Sequence, residues 1–196
     1  MTTIAERPTI DRTATTTARG EIATPAETPR EKATREKATR FVLAGLRLAL
    51  GWTFLWAFLD KTFGLGHETT TAQAWVNGGS PTKGFLGHAV AGPFADLYRS
   101  FAGAAWADWL FMLGLAAIGT ALVLGIGTRI AAVAGALLLV MMWTAVLPPE
   151  NNPFMDDHLI YAGVLAVLAL TAAGDTLGLG RYWARLPLVR RLPVLK

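Results

Sequence analysis

An all-α integral membrane protein is predicted by this sequence: a four-helix bundle with a long outer loop that contains a short surface helix. Three observations carry that reading. Of 196 residues, 53% are hydrophobic and only 16% charged, a balance unusual for a water-soluble domain. The apolar residues collect in four long blocks, where a soluble bundle would show short periodic stripes. The charged residues flank those blocks and rarely interrupt them.

Residues 1–40 are rich in Thr, Ala, Arg and Glu, contain Pro8, Pro25 and Pro29, and cannot bury a core. Within them Arg30-Glu-Lys-Ala-Thr34 repeats as Arg35-Glu-Lys-Ala-Thr39 and ends on Arg40. Such a mixed-charge run reads as a solvated juxtamembrane segment touching lipid headgroups, part of a disordered or partly helical basic tail. The alternative is that it extends the first membrane helix into the cytoplasm.

Residues 41–180 form the membrane domain, with spans at about 41–63, 109–125, 130–147 and 158–174. The first apolar block, Phe41 to Leu59, can cross a hydrocarbon core of roughly 30 Å at about 1.5 Å per residue. It is too long and too far from the N-terminus for a cleaved signal, so it reads as a retained targeting helix. Gly125 to Arg129 make a tight turn, which pairs helices two and three as an antiparallel hairpin. Pro148-Pro149 close the third helix, since proline lacks the N–H that continuation requires. Gly64 to Ala105 is the long outer connection, and Phe94 to Phe101 within it reads as a short helix on the membrane surface. A basic tail follows at 181–196.

Small residues four apart, Ala117 and Ala121, Ala131 and Gly135, Ala132 and Ala136, Ala162 and Ala166, predict close helix packing in lipid. Orientation follows from the basic residues. Arg30, Lys32, Arg35, Lys37 and Arg40 precede helix one, Arg129 lies in the second connection, and Arg181, Arg185, Arg190, Arg191 and Lys196 follow helix four. The other side carries only Lys61, Lys83 and Arg99 among several carboxylates. The positive-inside rule puts both termini in the cytoplasm. Trp106, Trp109, Tyr182 and Trp183 read as interfacial anchors.

Composition also excludes chemistries. With no cysteine, the chain has no disulfide, thiol nucleophile, iron–sulfur ligand or covalent haem attachment. No histidine lies deep in a span, so intrinsic haem is not expected. The net charge of +4 and pI near 9.8 do not signal nucleic-acid binding, because the basic residues follow topology and line no polar face. Asn77 to Gly84 is glycine-rich but lacks the spacing and following helix of a phosphate loop, and reads as a structured turn.

Two places hold ionisable groups that lipid normally rejects. In helix one, Arg47 lies roughly 10 Å inside the apolar block by helix rise, and Asp60-Lys61 end it. At about 100° per residue, Arg47, Gly51, Phe54, Phe58 and Lys61 share one face, while Trp52, Trp56 and Asp60 fall on another. That face can bind an anion or a quinone ring, with Arg47 or Lys61 polarising a carbonyl oxygen and Phe54 and Phe58 stacking on the ring. The same residues also allow a plainer reading, in which Arg47 snorkels inward or caps a neighbouring helix, Lys61 snorkels outward and the aromatics fill the bundle.

The second place is Asn151-Asn-Pro-Phe-Met-Asp-Asp-His158. Asp156, Asp157 and His158 stand at the outer start of helix four as a candidate catalytic, proton-handling cluster, because histidine exchanges its proton near neutrality. Tyr161, one turn beyond Asp157, can share its face and join the ligand-binding set. Alternatively Asp156 or Asp157 caps the free N–H groups that begin helix four. Metal coordination by these three is not expected, since adjacent residues point in divergent directions and His67 and His88 lie in a distant loop. Polar groups at the ends of helices one and four predict that these two helices approach and share any site.

From about Arg40 to Trp183 the chain resembles the DoxX/DoxD-type bacterial membrane proteins. The resemblance rests on Arg47 early in helix one, Lys61 at its outer end, and the string Asn152-Pro-Phe-Met-Asp-Asp-His-Leu-Ile-Tyr161. It rests also on Asn77-Gly-Gly-Ser-Pro-Thr-Lys-Gly-Phe85 and Gly174-Asp-Thr-Leu-Gly-Leu-Gly-Arg-Tyr-Trp183. One departure is Ala57-Phe-Leu-Asp60-Lys61, where the family often has a glycine shortly before the lysine.

Some members resemble or are the small subunit of a thiosulfate:quinone oxidoreductase. The resemblance therefore implies a multi-pass protein of the bacterial cell membrane, a subunit or accessory of a quinone-linked oxidoreductase. A quinone would be its cofactor and a protein of the same membrane complex its partner, with a homo-oligomer as a further possibility. The contrasting expectation is a non-enzymatic scaffold that anchors a partner through its basic tails or outer loop. A transporter is disfavoured by the lack of a carboxylate deep in helices two to four.

Overall fold

A computed structural model of the chain describes residues 27–195; their regular structure is helical, with no strand among the described residues. Residues 1–26 of the expected N-terminal tail lie outside the described residues. The first helix, α1, runs from Pro29 to Phe63, so it begins well before the apolar block. A capping box sets its start: Thr28 Oγ1 accepts from Glu31 N at 3.3 Å, Thr28 N donates to Glu31 Oε2 at 2.9 Å, and Pro29 takes the first helical position. The charged repeat is thus helical while remaining exposed to Arg40 and beyond. At the far end Gly64, with φ of 64°, donates to Asp60 O and stops the helix.

The long connection 64–104 contains α2 (Pro81–Gly84) and α3 (Ala95–Ser100). The latter coincides with the short helix expected at Phe94 to Phe101. Its Ala95 and Tyr98 are buried with Val90 and Ala145, which fastens this segment over the end of the hairpin. The hairpin itself is α4 (Ala105–Leu124) and α5 (Thr128–Ala145), joined through Gly125 and Gly127. Helix α5 stops short of the expected Leu147. Its Ala145 carbonyl accepts from Ala91 N at 2.9 Å, a bond outside the helix.

Helix α6 runs from Asp157 to Leu170 and ends before the expected residue 174, because Ala172 turns left-handed at φ 49° and Ala173–Asp175 make one 3₁₀ turn. Helices α1, α4 and α5 are long and apolar enough to cross a membrane, whereas α6 has 14 residues. At about 1.5 Å per residue it covers roughly 21 Å, short of a core of roughly 30 Å. Beyond it, α7 (Gly180–Trp183) and α8 (Pro187–Arg191) fold the basic tail back onto the bundle. Val189 is buried, Trp183 Nε1 donates to Leu195 O at 2.5 Å and Arg129 Nη1 to Pro193 O at 3.2 Å.

Helix α1 packs on α4 and α5 on α6, the two pairs being joined through the hairpin. Leu50 and Phe54 from α1, Met112, Leu115, Ile118 and Leu122 from α4, and Leu165 and Leu168 from α6 meet in one core. Two glycines let α1 and α4 approach to backbone contact. A Cβ at Gly119 would stand 2.7 Å from Leu55 N, and one at Gly51 2.9 Å from both Leu122 Cβ and Val123 N. Of the expected small-residue pairs, Ala131, Ala132, Gly135 and Ala162 are buried, but Ala117 and Ala166 are exposed. Large side chains such as Leu110, Val133 and Leu170 also stay exposed. That is a costly surface in water and an inexpensive one in lipid, so the helices point to a membrane protein.

Candidate functional site

Arg47 is the largest fully buried side chain of the fold, with no exposed surface. Its Nη1 donates to the carbonyls of Leu122 and, at 3.0 Å, Val123. Its Nη2 donates to Thr176 O at 3.3 Å and Leu177 O at 2.8 Å. The last carbonyls of α4 have no partner within their own helix, and a guanidinium presents several donors in a fixed fork. The side chain therefore ties the end of α4 to the segment after α6. This is the capping arrangement that the sequence left open beside the ligand-binding one. Nε alone lacks a partner.

The face expected along helix one is correspondingly closed. Gly51 is pressed against Val123 and Phe54 sits in the core; Phe58 is half-buried against it. Lys61 is half-buried and pairs with Glu68 at 3.1 Å. Asp60, expected on the face away from Lys61 with Trp52 and Trp56, is 2% exposed. Its carboxylate accepts from His67 N at 3.3 Å, Glu68 N at 3.1 Å and Thr69 N at 2.9 Å. A loop of three backbone donors thus satisfies a carboxylate that the helix alone would leave stranded.

At the start of α6, Asp156 is the N-cap: its Oδ1 accepts from Leu159 N at 3.2 Å. Its other oxygen lies 2.7 Å from His158 Nδ1, a bond in which the imidazole N–H donates to the carboxylate. Asp157 Oδ1 lies 3.5 Å from the same nitrogen. The divergence expected of adjacent residues is not what the fold produces, for one ligand atom from each of the three lies within 4.8 Å of the others. The cap geometry is the reason. Asp156 is extended before the helix, so its side chain turns back over the first turn toward His158. Tyr161 is exposed. Helices α1 and α6 do touch.

An apolar cavity lies elsewhere, between α4, α5 and the segment 81–101 that covers them. It measures ≈ 340 Å³ and is lined by Phe85, Tyr98, Trp106, Phe111, Ile118 and Met142 among others. None of the candidate catalytic or ligand-binding residues read from the sequence lines it, although Trp106, read as an interfacial anchor, does. Two of its polar lining groups are occupied: Tyr98 Oη contacts Met141 O at 3.0 Å and Thr144 Oγ1 at 2.5 Å, and Thr82 Oγ1 donates to Asp108 at 2.6 Å. Asp108, buried near the start of α4, also accepts from Ser80 Oγ and Thr82 N, both at 2.9 Å. It fixes the cover to the bundle. The available signal was a carboxylate inside the first turn of an apolar helix, paired in space with the Ser80-Pro-Thr82 turn; separation by 26 residues hid the pairing.

No protein-family model, no curated protein and no solved structure matches this chain.

Proposed function

We propose that this chain is a DoxX-like protein of the bacterial cell membrane that serves as a subunit or accessory of a quinone-linked oxidoreductase. In this reading it crosses the bilayer four times, with both termini cytoplasmic. Helix α6 with the turn at 173–175 makes the shortest crossing, and the basic clusters at the Arg40 and Arg181 ends support the orientation.

The observation that carries the ligand part is the apolar cavity. Trp106, Leu110, Leu137 and Met141 line it and are themselves exposed, so a lipophilic molecule can reach it from the membrane. Its lining suits the hydrocarbon body of a quinone, and the quinone is placed here because Arg47 is already committed to four carbonyls. A bound quinone supplies two-electron redox chemistry. Within the chain, Tyr98 and Thr82 shape the pocket, and Asp156, Asp157 and His158 hold and exchange protons at the same end of the bundle. Without cysteine or a deep histidine, electrons come from a partner protein.

A specific observation favours a second reading, the non-enzymatic scaffold. Arg47, Asp60, Asp108 and Asp156 all bind backbone groups of the fold, which is what structural polar residues do.

Gently purified protein separates the two. The first predicts about one quinone per chain, lost in Gly114→Phe, because Gly114 lines the cavity and a Cβ there meets nothing within 4 Å. A chain that carries no quinone but retains a protein partner supports the scaffold.

A further inference from the structure

A second pocket, of ≈ 330 Å³, lies at the opposite end of the bundle, where Glu36, Lys37, Arg40 and Phe41 of α1 face Thr176 and Arg181, with Ala33 one turn earlier. We infer that it is a binding site for the phosphate headgroup of an anionic phospholipid. The inference goes beyond the oxidoreductase reading and rests only on α1 crossing a bilayer.

Its first support is charge. Lys37 and Arg40 stand one turn apart on α1, and α7 brings Arg181 to the same pocket from the other end of the chain. Among the described residues, none of the three has a carboxylate within ion-pair distance, whereas Arg35, Lys61 and Arg99 each do. Glu36 shares the lining, so three cations against one anion leave a net charge of +2. Among the described residues each arginine is held through Nε only, Arg40 to Thr176 Oγ1 at 3.4 Å and Arg181 to Asp175 O at 3.0 Å. The terminal nitrogens that grip phosphate oxygens in pairs are thereby left uncommitted.

The second support is depth. Phe41 opens the apolar block, so the pocket lies at the level where hydrocarbon gives way to headgroups. Phe41, Val42 and Leu46 leave apolar surface exposed along the next turns of α1. A phosphate in the pocket places acyl chains beside that surface. A free phosphate would use the cations and leave the apolar track bare, which is why the lipid is the source inferred.

The full chain is purified in mild detergent, mixed with phosphatidylglycerol or phosphatidylcholine vesicles, and the lipid it retains is counted by native mass spectrometry. Phosphatidylglycerol is expected to be retained preferentially, and each cation removed is expected to weaken that preference about fivefold. The triple variant Lys37→Gln/Arg40→Gln/Arg181→Gln should lose it, while Arg30→Gln/Lys32→Gln/Arg35→Gln, with the same charge change outside the pocket, should change it less than about twofold. Equal losses in the two variants, or no preference in the parent chain, overturn the site. Arg181→Gln alone gives the same reading if the triple variant does not fold. Displacement of the lipid by an equal concentration of inorganic phosphate overturns the lipid as ligand. Release of the chain from membranes by alkaline washing overturns the crossing itself; a chain that stays in the membrane and shows no preference overturns only the headgroup site.

Discussion

Arg47 Nη2 donates to the carbonyl oxygen of Leu177 at 2.8 Å, across 130 residues of sequence. One guanidinium thereby joins the first helix to the segment that follows the last long one, and its other nitrogen does the same for the end of α4. At that end the guanidinium reinforces the backbone bond from Leu179 N to Leu124 O at 2.8 Å.

Replacing Arg47 with alanine takes the buried donor from the carbonyls of Val123, Thr176 and Leu177, while Leu122 O keeps its bond from Gly125 N. The expected loss is about 3 kcal/mol or more, since three buried carbonyls deprived of a charged donor each cost about 1–3 kcal/mol. Arg47→Lys, a point charge without the fork, should fall between parent and alanine. Thermal unfolding in detergent reads this directly, and an unchanged midpoint in Arg47→Ala sinks the clamp.

Helices α1 and α4 should not tolerate side chains at their contact. Gly119→Val is expected to cost about 1–3 kcal/mol through overpacking, because its Cβ would press on the backbone of Leu55. Gly163→Ala is the control, being a helical glycine with nothing within 4 Å of a new Cβ. It should be neutral or slightly stabilising. Equal effects of the two would show that α1 and α4 do not meet as described.

Asp108 anchors the cover of the cavity, so Asp108→Ala should loosen the connection more than it unfolds the bundle. Limited proteolysis is expected to cut faster within 64–104, with the helices still protected. Thr82→Val should act on the same bond, and the double variant should be barely worse than the more damaging single one. Additive effects argue against a shared anchor.

Capping and proton handling can be separated at the start of α6. Asp156→Ala should destabilise the protein by about 1 kcal/mol through loss of the cap, whereas Asp156→Asn keeps the cap and removes the negative charge beside His158. Asp157→Ala should leave stability nearly unchanged. If a quinone-linked activity is reconstituted with a partner and survives in both Asp156→Asn and His158→Gln, the cluster is a cap alone.

The helices were legible because their signals are local. Apolar blocks marked α4 and α5 within a few residues and the end of α1 at Phe63, and the Gly125 to Arg129 turn announced the hairpin. The early start of α1 has its local signal in Thr28-Pro29-Arg30-Glu31, a capping box with proline in its favoured place, which the charged repeat that follows it masks. The end of α6 was not legible, since it depends on Ala172 adopting a left-handed turn that no residue type there requests. The candidate sites divided the same way. The Asp156 cap was readable from position, but the cavity was not, because its walls come from α4, α5 and a covering segment joined through Asp108.

The sequence alone predicted a helical membrane chain with four apolar blocks, of which three form helices long and apolar enough to cross a membrane; the blocks were readable because length and hydropathy are properties of contiguous residues. It also singled out Arg47, Asp60 and the Asp156–His158 cluster as polar exceptions. What each exception does was decided only by tertiary structure. A buried charge is defined by the groups brought to it, and those of Arg47 come from Leu122 and Leu177, far along the chain. The loop 67–69 was likewise needed to complete Asp60. Hydropathy counts what each residue avoids; the partners it finds depend on the packing of helices against one another.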